Sequence, residues 1–336
     1  MSLIIPYFIH HRGCPHRCLF CNQLGIAGAN QEESPDPVAD LGLTIERWLA
    51  RSKQHSKVQV AFFGGSFTCL DEEQQFKLLG GVAPHIKSGR VDSIRLSTRP
   101  DCLSEEIVDF LISAGVSTVE IGAQSMNDEV LQQAGRGHTG AEVETAVHLL
   151  ADKGVETGIQ LMAGLPGETT RSFMDGVRTV VNLAPHLVRL YPTLVLEHTE
   201  LASLYRQSSW RPLSLERAVS LIARARNLLV DNQIRVIRMG LQPTAELEKQ
   251  LIAGPYHPAF GELVNSRCWY QNIRPLLVKA GRGRVVRLSV ADRDYSALVG
   301  HRRGNLNRFE NLANAARLQV ETDASLERGH YRYTVN

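Results

Sequence analysis

The sequence predicts an α/β fold, a partial (β/α)6 barrel followed by a small α/β extension. Three observations carry this expectation. Short apolar runs alternate six times with longer helical patterns over residues 1–192, the order that a parallel sheet with covering helices requires. No GxGxxG opens any of those helices, which argues against an open dinucleotide-binding sheet. Six units fall short of the eight that close a barrel, so the expected barrel is open with a lateral mouth.

Strands are expected at Leu3–His10, Val58–Phe63, Ser93–Ser97, Ser117–Ile121, Glu156–Met162 and Leu187–Tyr191, each an apolar run too short for a helix. Helical patterns lie between them, near Pro37–Arg51, Asp71–Ile86, Glu105–Ala114, Ala141–Lys153 and Thr170–Leu183. The extension, residues 193–336, begins after Tyr191-Pro192. Ser214–Asn232 reads as an amphipathic helix with Leu213-Ser214 ahead of it as a cap, and Ile234–Met239 as another strand. His257–Arg274 reads as a helix, and Val285–Val290, Leu318–Glu321 and Tyr331–Val335 as short strands. No solenoid repeat or low-complexity segment interrupts the pattern.

Composition narrows the class. The chain has 336 residues, 43% hydrophobic and 21% charged, enough to bury a large core. It has no apolar run of about 18 residues, and its N-terminus lacks a basic stretch leading into an apolar one and a cleavage site. A cytoplasmic protein with no membrane span is expected. Six cysteines in a chain this long do not make a disulfide scaffold. Three are clustered; Cys69, Cys102 and Cys268 are scattered and read as buried thiols, Cys102 lying beside the expected site. The net charge is +2, but Gln271–Asn336 alone carries +6, with eleven of its twelve basic residues arginine. That segment is either a solvated surface with ordinary ion pairs or a platform for RNA or another polyanion.

In parallel barrels the chemistry sits at the carboxyl ends of the strands, and the unusual sequences fall there. Gly13-Cys14-Pro15-His16-Arg17-Cys18-Leu19-Phe20-Cys21 follows the first strand, Gly64-Gly65-Ser66 the second and Ser97-Thr98-Arg99-Pro100-Asp101 the third. Gln124-Ser125 follows the fourth, Gly164-Leu165-Pro166-Gly167 the fifth, and Tyr191-Pro192 ends the sixth. This convergence points to one common site.

The CxxxCxxC spacing of Cys14, Cys18 and Cys21 offers three thiolates on one loop. A four-iron cluster ordinarily takes four, so three would leave one iron open to a small molecule. Structural zinc is the rival and wants four ligands, usually as two pairs. No second CxxC or HxxxH lies downstream, and His16 is badly placed to serve beside its neighbours. A disulfide pair with a spare thiol is the third alternative.

These residues resemble the radical S-adenosylmethionine (SAM) superfamily. The segments that carry the resemblance are HRGCPHRCLFCNQ, FFGGSFT, LSTRPD, VEIGAQS, GLPGET and VIRMGLQPT. Within it the chain is similar to the radical-SAM half of the elongator catalytic subunit and its stand-alone bacterial homologues, and more distantly to oxygen-independent coproporphyrinogen oxidase. The resemblance implies a core barrel over residues 1–192, with Cys14, Cys18 and Cys21 ligating a [4Fe-4S] cluster whose open iron binds SAM. One electron passed to the sulfonium would yield methionine and a 5′-deoxyadenosyl radical that abstracts hydrogen from a substrate. An external flavodoxin- or ferredoxin-like electron donor is implied. Phe20 matches a position beside the adenine, though it would serve equally as packing. Gly64 and Gly65 would bring backbone carbonyls to the methionine ammonium, and Ser66 stands where the superfamily commonly has an acid. Ser97 and Arg99 correspond to contacts with the ribose and carboxylate ends, Gln124 to a ribose or methionyl contact, and Gly164 to the floor near the adenine. Tyr191 is a substrate-side candidate. A tRNA substrate follows from the elongator likeness. No acetyltransferase segment, second cysteine cluster or cobalamin domain occurs within these residues, so acetyl-dependent chemistry, sulfur insertion and cobalamin-dependent methylation are not expected. Porphyrinogen oxidation, with arginines gripping carboxylates, and a non-catalytic iron–sulfur RNA-binding protein are the alternatives.

Overall fold

The computed structural model describes residues 2–9, 13–22, 36–51 and 56–336. His10, expected to end the first strand, lies outside them, as do His11, Arg12 and Gln23 of the cysteine segment. Strands β1 (Ser2–Ile9), β2 (Lys57–Gly64), β3 (Ser93–Thr98), β4 (Val116–Gln124), β5 (Glu156–Ala163) and β6 (Leu187–Pro192) are joined by α1 (Pro37–Ala50), α2 (Glu72–Lys87), α3 (Glu105–Ser113), α4 (Asp128–Gln133), α5 (Gly140–Asp152) and α6 (Thr170–Leu183). A two-residue β7 (Val195–Leu196) leads to α7 (Glu200–Arg206), α8 (Leu215–Asp231) and β8 (Arg235–Met239). One sheet runs in the order β1-β2-β3-β4-β5-β6-β8, and every pairing in it is parallel. This is an open partial barrel with β1 and β8 as its edges. The strand expected at Ile234–Met239 adds a seventh member to the six foreseen, because it pairs with β6.

Local chemistry sets the helix starts. Asp71 accepts from the Gln74 N–H at 2.7 Å, and Thr139 and Thr169 form reciprocal capping boxes with Glu142 and Ser172. Each satisfies backbone donors that the first helical turn leaves open.

The two faces of the sheet differ in chemistry. Val60, Phe62, Ile94, Leu96, Val119, Ile121, Ile159, Val188 and Leu190 alternate onto the outer face and are almost fully buried. Each such side chain contributes about 1.5–3 kcal/mol on leaving water. The intervening residues point to the inner face, and many are polar: Gln59, Arg95, Thr118, Glu120, Glu156, Gln160 and Arg189. A barrel whose inner wall is polar is a site rather than a core.

The chain forms two compact units, Met1–Ser214 with Leu228–Tyr256, and Leu215–Asn227 with His257–Asn336. Within the first, β7 pairs with β9 (Leu251–Ala253) after α9 (Ala245–Gln250). The second is built around α10 (Phe260–Ala280), α11 (Asp292–Val299) and α12 (Gly304–Glu310). Its sheet has the order β11-β10-β12, with β10 (Val285–Val290) parallel to β11 (Arg317–Thr322) and antiparallel to β12 (Tyr331–Val335). Trp269, Ile273 and Leu277 pack there against Val286, Leu288, Val290 and Phe309.

Candidate functional site

The cysteine loop is clamped on several sides. Gly13 has φ +72°, and a Cβ there would collide with the Ser66 carbonyl and stand 2.9 Å from the Leu70 nitrogen. Only glycine lets the loop lie on the turn after β2. Gly137, at φ +69°, takes the His16 ring against its bare α-carbon. Leu19 donates its N–H to the Ala134 carbonyl at 3.1 Å and accepts from the Leu201 N–H at 2.9 Å. Cys14 is exposed and Cys18 buried, with Cys21 between them in exposure. Among the described residues no three His, Cys, Asp or Glu side chains converge on a point that would hold a single metal ion. Three thiolates of a cubane bind three different irons and need no such point.

The other expected residues gather at the carboxyl ends of the strands. Phe20 packs with Met162 against Val130, Ala134 and Leu165, which brings the cysteine loop and the GLPGET turn together. The Gly164 N–H donates to Glu168 Oε2 at 2.6 Å, and a Cβ on Gly164 would meet Leu213 at 2.9 Å. Gly64 has φ +99° and ends β2 beside Ile9. Ser66 is buried, its hydroxyl 2.9 Å from Cys69 Sγ, 3.0 Å from Thr98 Oγ1 and accepting from the Arg99 N–H at 3.1 Å. The side chain that replaces the common acid is therefore spent on the turns after β2 and β3. Ser97, on β3, is half-buried. Arg99 is buried and forks onto Asp101 with two bonds of 2.9 Å. Gln124, at φ +68°, ends β4 in a conformation that few non-glycine residues adopt, and accepts from Gln160 Nε2 at 3.0 Å.

Two scattered cysteines are not thiols. Cys69 and Cys102 are joined in a disulfide, with Cα atoms 5.4 Å apart across 33 residues of sequence. The expectation of buried thiols fails here because β2 and β3 are neighbours, so the turns after them meet in space. Cys268 is buried and stands outside any disulfide.

The structure adds residues that sequence reading passed over. Arg136, buried, donates Nη1 to Cys18 Sγ at 3.2 Å and Nη2 to the Gly122 carbonyl, while its Nε has no partner. His138 sits 3.2 Å from the Ala123 carbonyl with Nδ1 unpartnered. Burial, then the charges of Arg136 and Arg99, push its pKa down to about 4, so it is neutral near pH 7. Burial pushes the Glu168 carboxyl up to about 8. On the inner wall Glu120 accepts from Arg95 Nη1 and Arg189 Nη2, both at 3.0 Å, and also from Arg189 Nε. Arg189 lies over the Phe63 ring at 5.3 Å and donates to the Tyr191 hydroxyl at 3.4 Å. The Gly-Arg-Gly-His run at 135–138 was the one available signal for Arg136; a charged residue flanked by glycines between two helices reads otherwise as a loop.

Residues 8–180 match the family model described as Radical SAM superfamily. The chain belongs to the radical SAM superfamily. A second model, the Radical_SAM C-terminal domain, matches residues 185–270. The chain is 26% identical over 257 residues to a tRNA uridine(34) acetyltransferase of Methanocaldococcus infernus, covering 64% of this chain and 47% of that protein. It is 28% identical over 203 residues to the heme chaperone HemW of Haemophilus influenzae, covering 59% and 53%. It thus spans about half the length of these curated relatives. The solved structure of Methanocaldococcus infernus Elp3 with an N-terminal deletion superposes with TM-score 0.64 at 23% identity, over 82% of this chain and 63% of that one. That likeness shows the radical SAM fold. Members of the superfamily are enzymes. Among the described residues no helix is long and apolar enough to cross a membrane.

The last 66 residues of this radical SAM chain lie beyond both family matches, and eleven of its arginines are there. Across the outward face of the second unit's sheet, Arg317 opposes Val285, Arg287 stands two residues on, and Arg332 opposes Ser289 two further on. The three exposed guanidinium side chains form a diagonal row, successive members on the order of 7–8 Å apart. Arg332 pairs with Asp323 at 3.6 Å; Arg287 and Arg317 have no ion pair among the described residues.

Proposed function

We propose that this chain is a cytoplasmic radical SAM enzyme acting on RNA, with tRNA as the substrate class. Cys14, Cys18 and Cys21 would hold a [4Fe-4S] cluster, and the residues at the strand ends would bind SAM. The observation that carries this reading is Arg136, a buried cation bonded to the sulfur of Cys18 with one donor unpartnered beside the cysteine loop. The residues present fit both groups. The donor set is three thiols, with no fourth ligand beside them among the described residues, and the neighbouring buried groups offer unused hydrogen-bonding capacity. The cofactors, when bound, supply reductive cleavage of SAM to a carbon radical.

The chain's own residues position and shield. Arg136 offers charge to a carboxylate or to the cluster sulfurs. Gly64, Gly65 and the Ser66 backbone face an ammonium group, Phe20 and Gly164 bound the adenine, and Ser97 and Gln124 offer hydrogen bonds to the ribose or methionyl part. Arg99, committed to Asp101, stiffens the turn after β3 and contributes its positive field. Glu120, Arg95, Arg189 and Tyr191 form a polar wall on which a substrate is held. Residues 1–192 hold the cofactors and the inner wall, and 193–336 add a further substrate-facing surface. A flavodoxin- or ferredoxin-like protein supplies the electron.

The arginine diagonal supports RNA, because guanidinium groups at that spacing suit successive backbone phosphates. Fluorescence-polarisation binding of unmodified tRNA across a salt series tests it. Binding whose log affinity falls steeply with log salt supports the reading, and salt-independent or absent binding refutes it. The match to a heme chaperone favours a second reading, a tetrapyrrole held by the inner-wall arginines; an absorbance titration with porphyrinogen or heme distinguishes the two.

A further inference from the structure

We propose that Cys69 and Cys102 form a reversible dithiol–disulfide centre that sets the rigidity of the cradle around the cysteine loop, with a low-molecular-weight disulfide as its oxidant. The pair occupies equivalent places in two neighbouring units. Cys69 ends the short turn Phe67–Cys69 after β2, and Cys102 ends Pro100–Cys102 after β3. Both turns are immediate continuations of cofactor-side sequences, Gly64-Gly65-Ser66 and Ser97-Thr98-Arg99. A bridge between them ties the two together.

Three contacts couple the bridge to the cysteine loop. The Ser66 hydroxyl lies 2.9 Å from Cys69 Sγ and also accepts from the Arg99 N–H, so one side chain touches the bridge and both turns. Gly13, which opens the cysteine loop, lies against the Ser66 carbonyl, with its Cβ direction 3.0 Å from the Cys69 carbonyl carbon. Thr68 and Thr98 hydroxyls meet at 2.6 Å beneath them.

Contacts other than the bridge hold the first turn in place. Gln75 Nε2 donates to the Leu70 and Thr68 carbonyls, holding the first turn on the barrel without the sulfur link. Among the described residues no side-chain amide bonds the backbone of the second turn in this way; Arg99 forks onto Asp101 there, and its N–H reaches the Ser66 hydroxyl. Reduction therefore frees Cys102 more than Cys69. Both residues are half-buried, which admits a small thiol or disulfide. In a reducing compartment such a pair is characteristically redox-sensing rather than structural. The step balances as two protein thiols plus one glutathione disulfide giving the protein disulfide plus two glutathiones; two electrons and two protons pass to the small disulfide.

The test uses the full-length, cluster-reconstituted chain under anaerobic conditions, in reduced or oxidised glutathione. Differential alkylation and peptide mass mapping read the bond, and hydrogen–deuterium exchange reads amides 64–70 and 98–102. The Cys69–Cys102 peptide should appear with oxidised glutathione and disappear with dithiothreitol in the native protein. Exchange in both segments should rise at least fivefold on reduction, more in 98–102. C69S and C102S should exchange at the reduced rate in either buffer. A bond that never forms, a bond that resists dithiothreitol until the protein unfolds, or exchange equal in the two states would each overturn the proposal. None of these readouts requires SAM to bind, so they stand apart from the test of the enzymatic reading.

Discussion

Glu120→Ala removes the carboxylate on which two guanidinium groups of the inner wall depend. Its side chain is 3% exposed, and those of Arg95 and Arg189 are 9% and 17% exposed. Arg95 Nε already lacks a partner, so losing Glu120 adds to an existing deficit. Arg95 keeps only a 3.6 Å approach to Glu156, and Arg189 only the Tyr191 hydroxyl and the Phe63 ring. Breaking a buried pair from one side costs about 3–5 kcal/mol, mostly through the charge left unpaired. For a unit of this size, each kcal/mol moves the midpoint by roughly 2–4 °C, so the first unit should melt about 10 °C lower. Glu120→Gln keeps an acceptor without the charge and should lose roughly half as much. Urea titrations of wild type, E120A, R189M and the double variant supply the cycle. R189M should cost markedly less in the E120A background than alone, a coupling of at least about 1 kcal/mol. Additive losses, or an E120A cost below about 1 kcal/mol, would refute the buried network.

Other outcomes follow from the same geometry. His138 holds a folded pKa near 4 against an ordinary 6.5, so the unfolded chain takes up a proton first as pH falls. Wild type should lose about 3 kcal/mol between pH 6.5 and 4, and His138→Gln should flatten that limb of a urea-midpoint profile without changing the plateau above pH 7. Arg136→Met should weaken SAM binding at least tenfold in equilibrium dialysis while the iron–sulfur absorbance persists; unchanged SAM affinity would remove Arg136 from the cofactor site. The triple variant R287A, R317A and R332A should lower the salt slope of tRNA binding by roughly 2–3, and an unaltered slope would place the RNA elsewhere.

What sequence could show and what it could not divide along the sheet. Its outer face was legible because Val, Ile and Leu on alternate positions of β2 to β6 have one physical use, burial beneath helices. The inner face was not. Glu120 stands inside an apolar run, and Arg95 and Arg189 each look like an exposed charge of a strand; only the curl of the sheet brings them together. The same holds for Cys69 and Cys102, whose separation of 33 residues says nothing until β2 and β3 are known to be adjacent. Arg136 was hidden for a different reason. Its role depends on the cysteine loop folding over the segment 134–137, a contact made by backbone and by bare glycines that leaves little trace in residue type. The cysteine spacing, by contrast, was readable at once, because thiolates at that interval on one loop serve few purposes.

The most direct test is product analysis after anaerobic reconstitution with iron and sulfide, reduction by dithionite and addition of SAM. A three-thiolate cluster with an open iron predicts 5′-deoxyadenosine and methionine in equal amounts, with Cys18→Ala lacking both the products and the broad iron–sulfur absorbance. An intact, reduced cluster that yields neither product would contradict the assignment of this chain as a radical SAM enzyme in its own right.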